Sequence, residues 1–149
     1  MNRIAQFLGT GLYSGYFPIA PGTVGSAGAL LCYLFIPYLR GVPLILVILA
    51  VFFIGVWAAT RIEESAGHDA SIINIDEIVG MWISLLFLPE QLKFWGWLAA
   101  FFLFRLFDIL KPFPINQSQK LAAGWGVMVD DVLAGIYTFL VLRIVILLL

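Results

Sequence analysis

Acidic side chains stand against apolar runs at three places in the chain. Asp76 and Glu77 lead into the run over residues 78–88. Asp108 lies in Phe104-Arg105-Leu106-Phe107-Asp108-Ile109-Leu110-Lys111-Pro112, and Asp130 and Asp131 lie in Val129-Asp130-Asp131-Val132-Leu133. These five are more than half of the nine acids, in a chain of which only 11% is charged. An ionised carboxylate is costly to desolvate, so its presence at an apolar helix marks a pathway or a site. Five carboxylates beside Arg105 and Lys111 leave a net charge of −3, a group that must take up protons or bind cations. Hard oxygen ligands without Cys or His companions suit Mg2+, Mn2+ or Ca2+ better than zinc. Arg105, Asp108 and Lys111 follow one another at i, i+3 and i+6, roughly along one helical face. A base on either side of a metal ligand suits a phosphate ester, because phosphoryl transfer depends on positioning and on neutralising oxygens. Without the metal, the excess of acids over bases should strain that end of the protein.

The stretch Ala20-Pro21-Gly22-Thr23-Val24-Gly25-Ser26 opens an apolar helix, with Thr23 as the expected N-cap. Amides at such a start favour anions, which adds Thr23 and Ser26 to the candidate phosphate contacts. Structural readings stand beside these: Arg105 and Asp108 as an intrahelical ion pair, and the paired acids as helix-start residues favoured by the dipole. His68, in a polar stretch, reads as solvated, and the five tryptophans as packing or interface anchors.

The elements that must position these residues are helices. With 62% hydrophobic residues and a mean hydropathy of +1.04, the 149 residues read as one all-α, membrane-embedded domain. The expectation is a polytopic bundle of about four to five apolar helices with the polar site at one end. They cover residues 23–39, 44–60, 78–88 with the acids in its first turn, 94–110, and 130–149. Polar or broken stretches at residues 61–74 and 115–127 connect them. If the helices alternate in direction, the turns at Arg40 and Pro89 share one side with the C-terminus. The loops holding every unusual acid share the other side, together with the Pro21–Ser26 turn. That second side also carries Arg3, Arg61, Arg105, Lys111 and Lys120, against Arg40, Lys93 and Arg143, which favours the cytoplasm. The net charge of −1 gives no field for nucleic acid. Cys32, in an apolar helix, is expected to be buried and inert, with no disulfide. The N-terminus is read as carrying no removable signal peptide.

Four motifs, Pro18-Ile19-Ala20-Pro21-Gly22-Thr23-Val24-Gly25-Ser26, Asp76-Glu77-Ile78-Val79-Gly80-Met81-Trp82, the Phe104–Pro112 stretch and Gly124-Trp125-Gly126-Val127-Met128-Val129-Asp130-Asp131, resemble the phosphatidylglycerophosphatase A family. They occur in the family's order and cover nearly the whole chain. The resemblance implies a Mg2+-dependent membrane phosphatase that hydrolyses phosphatidylglycerophosphate to phosphatidylglycerol and phosphate. It implies an anionic phospholipid substrate and the cytoplasmic face of a bacterial inner membrane. On this reading Asp76, Glu77, Asp108, Asp130 and Asp131 hold the metal and carry catalysis, while Arg105, Lys111, Thr23 and Ser26 hold the phosphate. Water attack and a covalent route through an aspartate or Thr23 both remain open. Ala122-Ala123 precede Gly124 where some members are expected to carry His-Gly, so no histidine of that loop is assigned a role. A cation- or proton-coupled transporter is the alternative from another class, although the acids cluster at one end and no inverted repeat is visible. A phosphatidyltransferase would need an Asp-rich helix pattern that the sequence lacks.

Overall fold

The computed structural model describes residues 2–148, with Glu90 and Lys93 described by backbone alone. All of its regular structure is helical: α1 (Arg3–Gly9), α2 (Pro21–Phe35), α3 (Gly41–Ala66), α4 (Ile75–Ser84), α5 (Lys93–Leu110), α6 (Ile115–Ser118) and α7 (Gly124–Leu148). Short 3-10 turns at Ser14–Tyr16 and Glu90–Leu92 join them.

The organising element is α4. Nine of its ten residues are buried, acids included, because α2, α3, α5 and α7 pack around it. Its closest neighbour is α7. A Cβ on Gly135 would stand 2.5 Å from the Gly80 carbonyl, and a Cβ on Gly80 would stand 2.7 Å from that of Asp131. Only glycine at both positions lets these backbones touch, and the contact draws Asp131 against α4. On the other face Trp82 donates its indole N–H to the Ala29 carbonyl at 2.9 Å, fixing α2. Beyond the end of α4, Arg143 of α7 donates to the Phe87 carbonyl, so a cation meets the free carbonyls of that terminus.

Two helices, α3 with 26 residues and α7 with 25, are long and apolar enough to cross a membrane. Only 33% and 28% of their most apolar windows are buried. The other apolar helices are shorter or charged: α2 has 15 residues, α4 has ten, and α5 carries Arg105 and Asp108 toward its end.

Several boundaries differ from the sequence expectation, for local reasons. Helix α2 begins at Pro21, so Ala20 rather than Thr23 is the N-cap, and Thr23 lies inside the first turn. Helix α3 runs through the polar residues as far as Ala66, because Arg61 and Glu64 pair at i, i+3 and no breaker occurs before Gly67. Helix α7 starts at Gly124, where Thr60 Oγ1 accepts the Gly124 N–H at 3.1 Å and satisfies a free amide. Asp130 and Asp131 therefore sit in its second turn, not at its start. Cys32, expected to be buried, is exposed on α2.

Candidate active site

The site is built where the beginnings of α2, α4 and α7 meet the end of α5. In the first turn of α2, Gly22 has no side chain, and the Glu77 carboxylate occupies that space. A Cβ there would lie 2.0 Å from Glu77 Oε1. One turn later, Ser26 Oγ donates to Glu77 Oε2 at 2.7 Å. Arg105 reaches across from α5 to the same oxygen and pairs with Asp108 Oδ2 at 2.9 Å. Lys111, in the left-handed conformation that ends α5 (φ 43°), lies 3.6 Å from Asp108 Oδ1 and bonds Asp130 Oδ2. Acids and bases thus alternate across three helices, in the order Glu77, Arg105, Asp108, Lys111, Asp130.

Asp76 and Asp131 stand beside this row, with no ion pair to a base among the described residues. Asp76 Oδ1 and Asp131 Oδ2 are buried and have no hydrogen-bond partner among the described residues, an expensive arrangement for ionised groups. One carboxylate oxygen each from Glu77, Asp108 and Asp131 lie within 4.8 Å of one another. Orphaned buried oxygens in an all-oxygen donor set fit a hard divalent cation. Asp76 and Asp130 line the same cavity, of about 290 Å³, outside that three-residue group.

Electrostatics follow from the crowding. Burial foremost, then Glu77 and Asp130, hold the Asp76 carboxyl well above the usual carboxylate range. Burial and Asp108 raise Glu77 as well, against the opposing pull of Arg105 and Ser26. For Lys111, burial works against the charge, but Asp130 and Asp108 outweigh it and keep the ammonium above the usual lysine range.

The cavity therefore gathers all five predicted acids with Lys111, and Arg105 joins them through its pairs with Glu77 and Asp108. Ser26 is buried with its hydroxyl on Glu77, so it touches the acid row. Thr23 is half-buried in α2 and does not line the cavity. His68 is exposed yet held, its Nδ1 lying 2.9 Å from Glu63 Oε1.

Other contributors escaped the sequence reading. Gly22 supplies the space for Glu77. Asn74 ties α2 to Ser14, donating from Nδ2 to the Pro21 carbonyl at 3.1 Å and to Ser14 Oγ at 2.7 Å. Tyr137 donates its O–H to the Phe113 carbonyl at 2.7 Å and fastens the turn that follows Lys111. Asp69 and Ser71 line the cavity mouth. Of these, only the Ala-Pro-Gly turn gave Gly22 a local signal. The others act through partners distant in sequence.

Comparison with known proteins adds independent evidence. The sequence profile described as phosphatidylglycerophosphatase A matches residues 7–146. A Haemophilus influenzae protein named phosphatidylglycerophosphatase A is 42% identical, over 91% of this chain and 85% of its own length. The Escherichia coli protein of the same name is 37% identical, over 91% and 80%. A Bacteroides thetaiotaomicron protein named as a candidate phosphatidylinositol-3-phosphatase is 39% identical, over 92% and 90%. No solved structure gives a significant match. With its profile matched almost end to end and its acids gathered around one cavity, this chain belongs to the phosphatidylglycerophosphatase A family.

Proposed function

We propose that this chain is a Mg2+-dependent membrane phosphatase that hydrolyses phosphatidylglycerophosphate to phosphatidylglycerol and inorganic phosphate. The observation that carries the reading is the row of alternating acids and bases beside two orphaned buried carboxylate oxygens in one cavity. Glu77, Asp108 and Asp131 would hold the cation, with Asp76 and Asp130 completing its surroundings. When bound, Mg2+ supplies charge neutralisation on the phosphate oxygens. Arg105 and Lys111 bind and orient the phosphate. Arg105 Nε is a buried donor without a partner among the described residues, so the guanidinium keeps bonding capacity beyond its two carboxylates. Ser26 orients Glu77, and Gly22 brings the first turn of α2 to the cavity wall, while Thr23, outside the cavity lining, is given no phosphate contact. The bundle sits as a multi-pass protein in a bacterial inner membrane, with α2, α4 and α5 beside the two longer helices and the site facing the cytoplasm. A site at helix ends reaches a phosphate at the membrane surface without extracting the lipid.

The test is phosphate release by purified protein from phosphatidylglycerophosphate in mixed micelles, with Mg2+ or EDTA. Release that needs Mg2+ is the expected result; no release under either condition refutes the reading. Phosphatidylinositol 3-phosphate belongs in the same assay, since the Bacteroides relative's name favours that second substrate. Turnover of the inositol lipid alone would replace the first reading with the second.

A further inference from the structure

One carboxylate at the cavity mouth has no part in the chemistry above. Asp69 lines the cavity, yet it is exposed, sits on the loop between α3 and α4, and lies outside the three-residue cation group. A bracket of side chains keeps it there. Its backbone is left-handed (φ 53°), and its N–H donates to Glu63 Oε1 at 2.8 Å. Its Oδ2 accepts from Gln119 Nε2 at 3.2 Å. Glu63, whose side chain is only 7% exposed, also holds His68, and His68 Nε2 meets the Gln119 carbonyl at 3.1 Å. The carboxylate is held at the mouth, where Ser71 lines the same wall.

A further anion at the entrance to a phosphate site opposes substrate approach. The cost is offset only if the substrate brings a donor, because an ionised carboxylate can only accept. A hydroxyl donating to a carboxylate makes one of the stronger hydrogen bonds. The substrate class inferred above has such a donor: the headgroup glycerol carries a hydroxyl on the carbon next to the one bearing the scissile phosphate. We propose that Asp69, with Ser71 beside it, forms a subsite for this hydroxyl and makes the enzyme select phosphate monoesters that carry one. The assignment rests on the phosphatidylglycerophosphate reading.

The experiment compares phosphatidylglycerophosphate with its deoxy analogue, propane-1,3-diol replacing the headgroup glycerol, with the same acyl chains and Mg2+. Wild type should lose about tenfold to a hundredfold in kcat/KM on the analogue, the range for a hydrogen bond to a charged group. Asp69→Ala should turn over the two substrates equally, through a loss on the hydroxylated one and a gain on the analogue, which no longer meets an uncompensated anion. Asp69→Asn, nearly isosteric and still an acceptor, should give an intermediate ratio. A wild type that does not discriminate overturns the subsite. So does retention of the wild-type ratio in both variants, or an equal loss on both substrates in both variants. Failure of wild type to release phosphate from either lipid refutes the phosphatase reading instead.

Discussion

Replacing Asp131 with asparagine should stabilise the metal-free protein while destroying its activity. Asp131 is 2% exposed, and one of its oxygens has no partner. It shares a space no wider than 4.8 Å with oxygens of Glu77 and Asp108. At that separation each like-charge pair costs about 3.5 kcal/mol for an effective dielectric constant near 20. Attraction to Arg105 offsets roughly one of the two pairs, which leaves an expected gain of about 1–3 kcal/mol once relaxation is allowed for. In a chain of this length that corresponds to about 2–4 °C in Tm per kcal/mol. Asp108→Asn is the control. Asp108 stands between Arg105 and Lys111, so its loss removes one ion pair from each base, leaving Arg105 with Glu77 and Lys111 with Asp130, and should lower Tm in the same buffer. Mg2+ should reverse the order for Asp131. A ligand bound only by the folded state adds about 2.7 kcal/mol at a hundredfold excess over Kd, and wild type gains more of this than the variant. Melting curves in detergent, in EDTA and then in Mg2+, read all three effects. If Asp131→Asn melts below wild type in EDTA and Mg2+ leaves wild type unchanged, the acids are scaffolding and the metal assignment fails.

Three other outcomes are expected. Gly22→Ala places a methyl 2.0 Å from Glu77 Oε1, so phosphate release should fall by about a hundredfold or more and the Mg2+ requirement should rise, as Mg2+ titration of the activity will read. Tyr137→Phe frees the turn after Lys111 and should raise KM about fivefold, with kcat changed less than twofold, since the lost bond holds a ground-state phosphate contact. In a Cys32→Ser background, single cysteines at Ser65 and Ser118 should be labelled from the same side of the membrane and one at Gly41 from the other; labelling of Ser65 and Ser118 from opposite sides breaks the proposed topology.

The gathering of acids was legible because it follows from helix direction alone. Chain alternation brings Glu77, Asp108 and Asp131 to one end whatever the side chains do, and the cavity collects them there. Helix ends were less legible, because a partner far along the chain decides them. Gly124-Trp125-Gly126 reads as a loop locally, yet Thr60 on α3 supplies the acceptor that lets α7 begin there. The division of labour among the acids was legible only in part. Asp108 stands between Arg105 and Lys111 already in the sequence, and the structure keeps both pairs, but nothing local shows that Asp131 has a buried oxygen with no hydrogen-bond partner among the described residues. Ser26 reads as a phosphate contact from its place at a helix start, and only the fold shows its hydroxyl on Glu77.

The shortness of α4 bears on how the protein reaches its membrane. Ten residues make a rod of about 15 Å, half of the roughly 30 Å hydrocarbon layer, and two carboxylates open it. Such a segment has too little apolar length to leave the translocation machinery for lipid by itself. In the bilayer proposed above it becomes stable only when α2, α3, α5 and α7 close around it, so its insertion is the same event as assembly of the bundle. Damage to the α4–α7 contact, at Gly80 or Gly135, should then appear first as protein cleared by membrane quality control, before any change in turnover by the copies that survive.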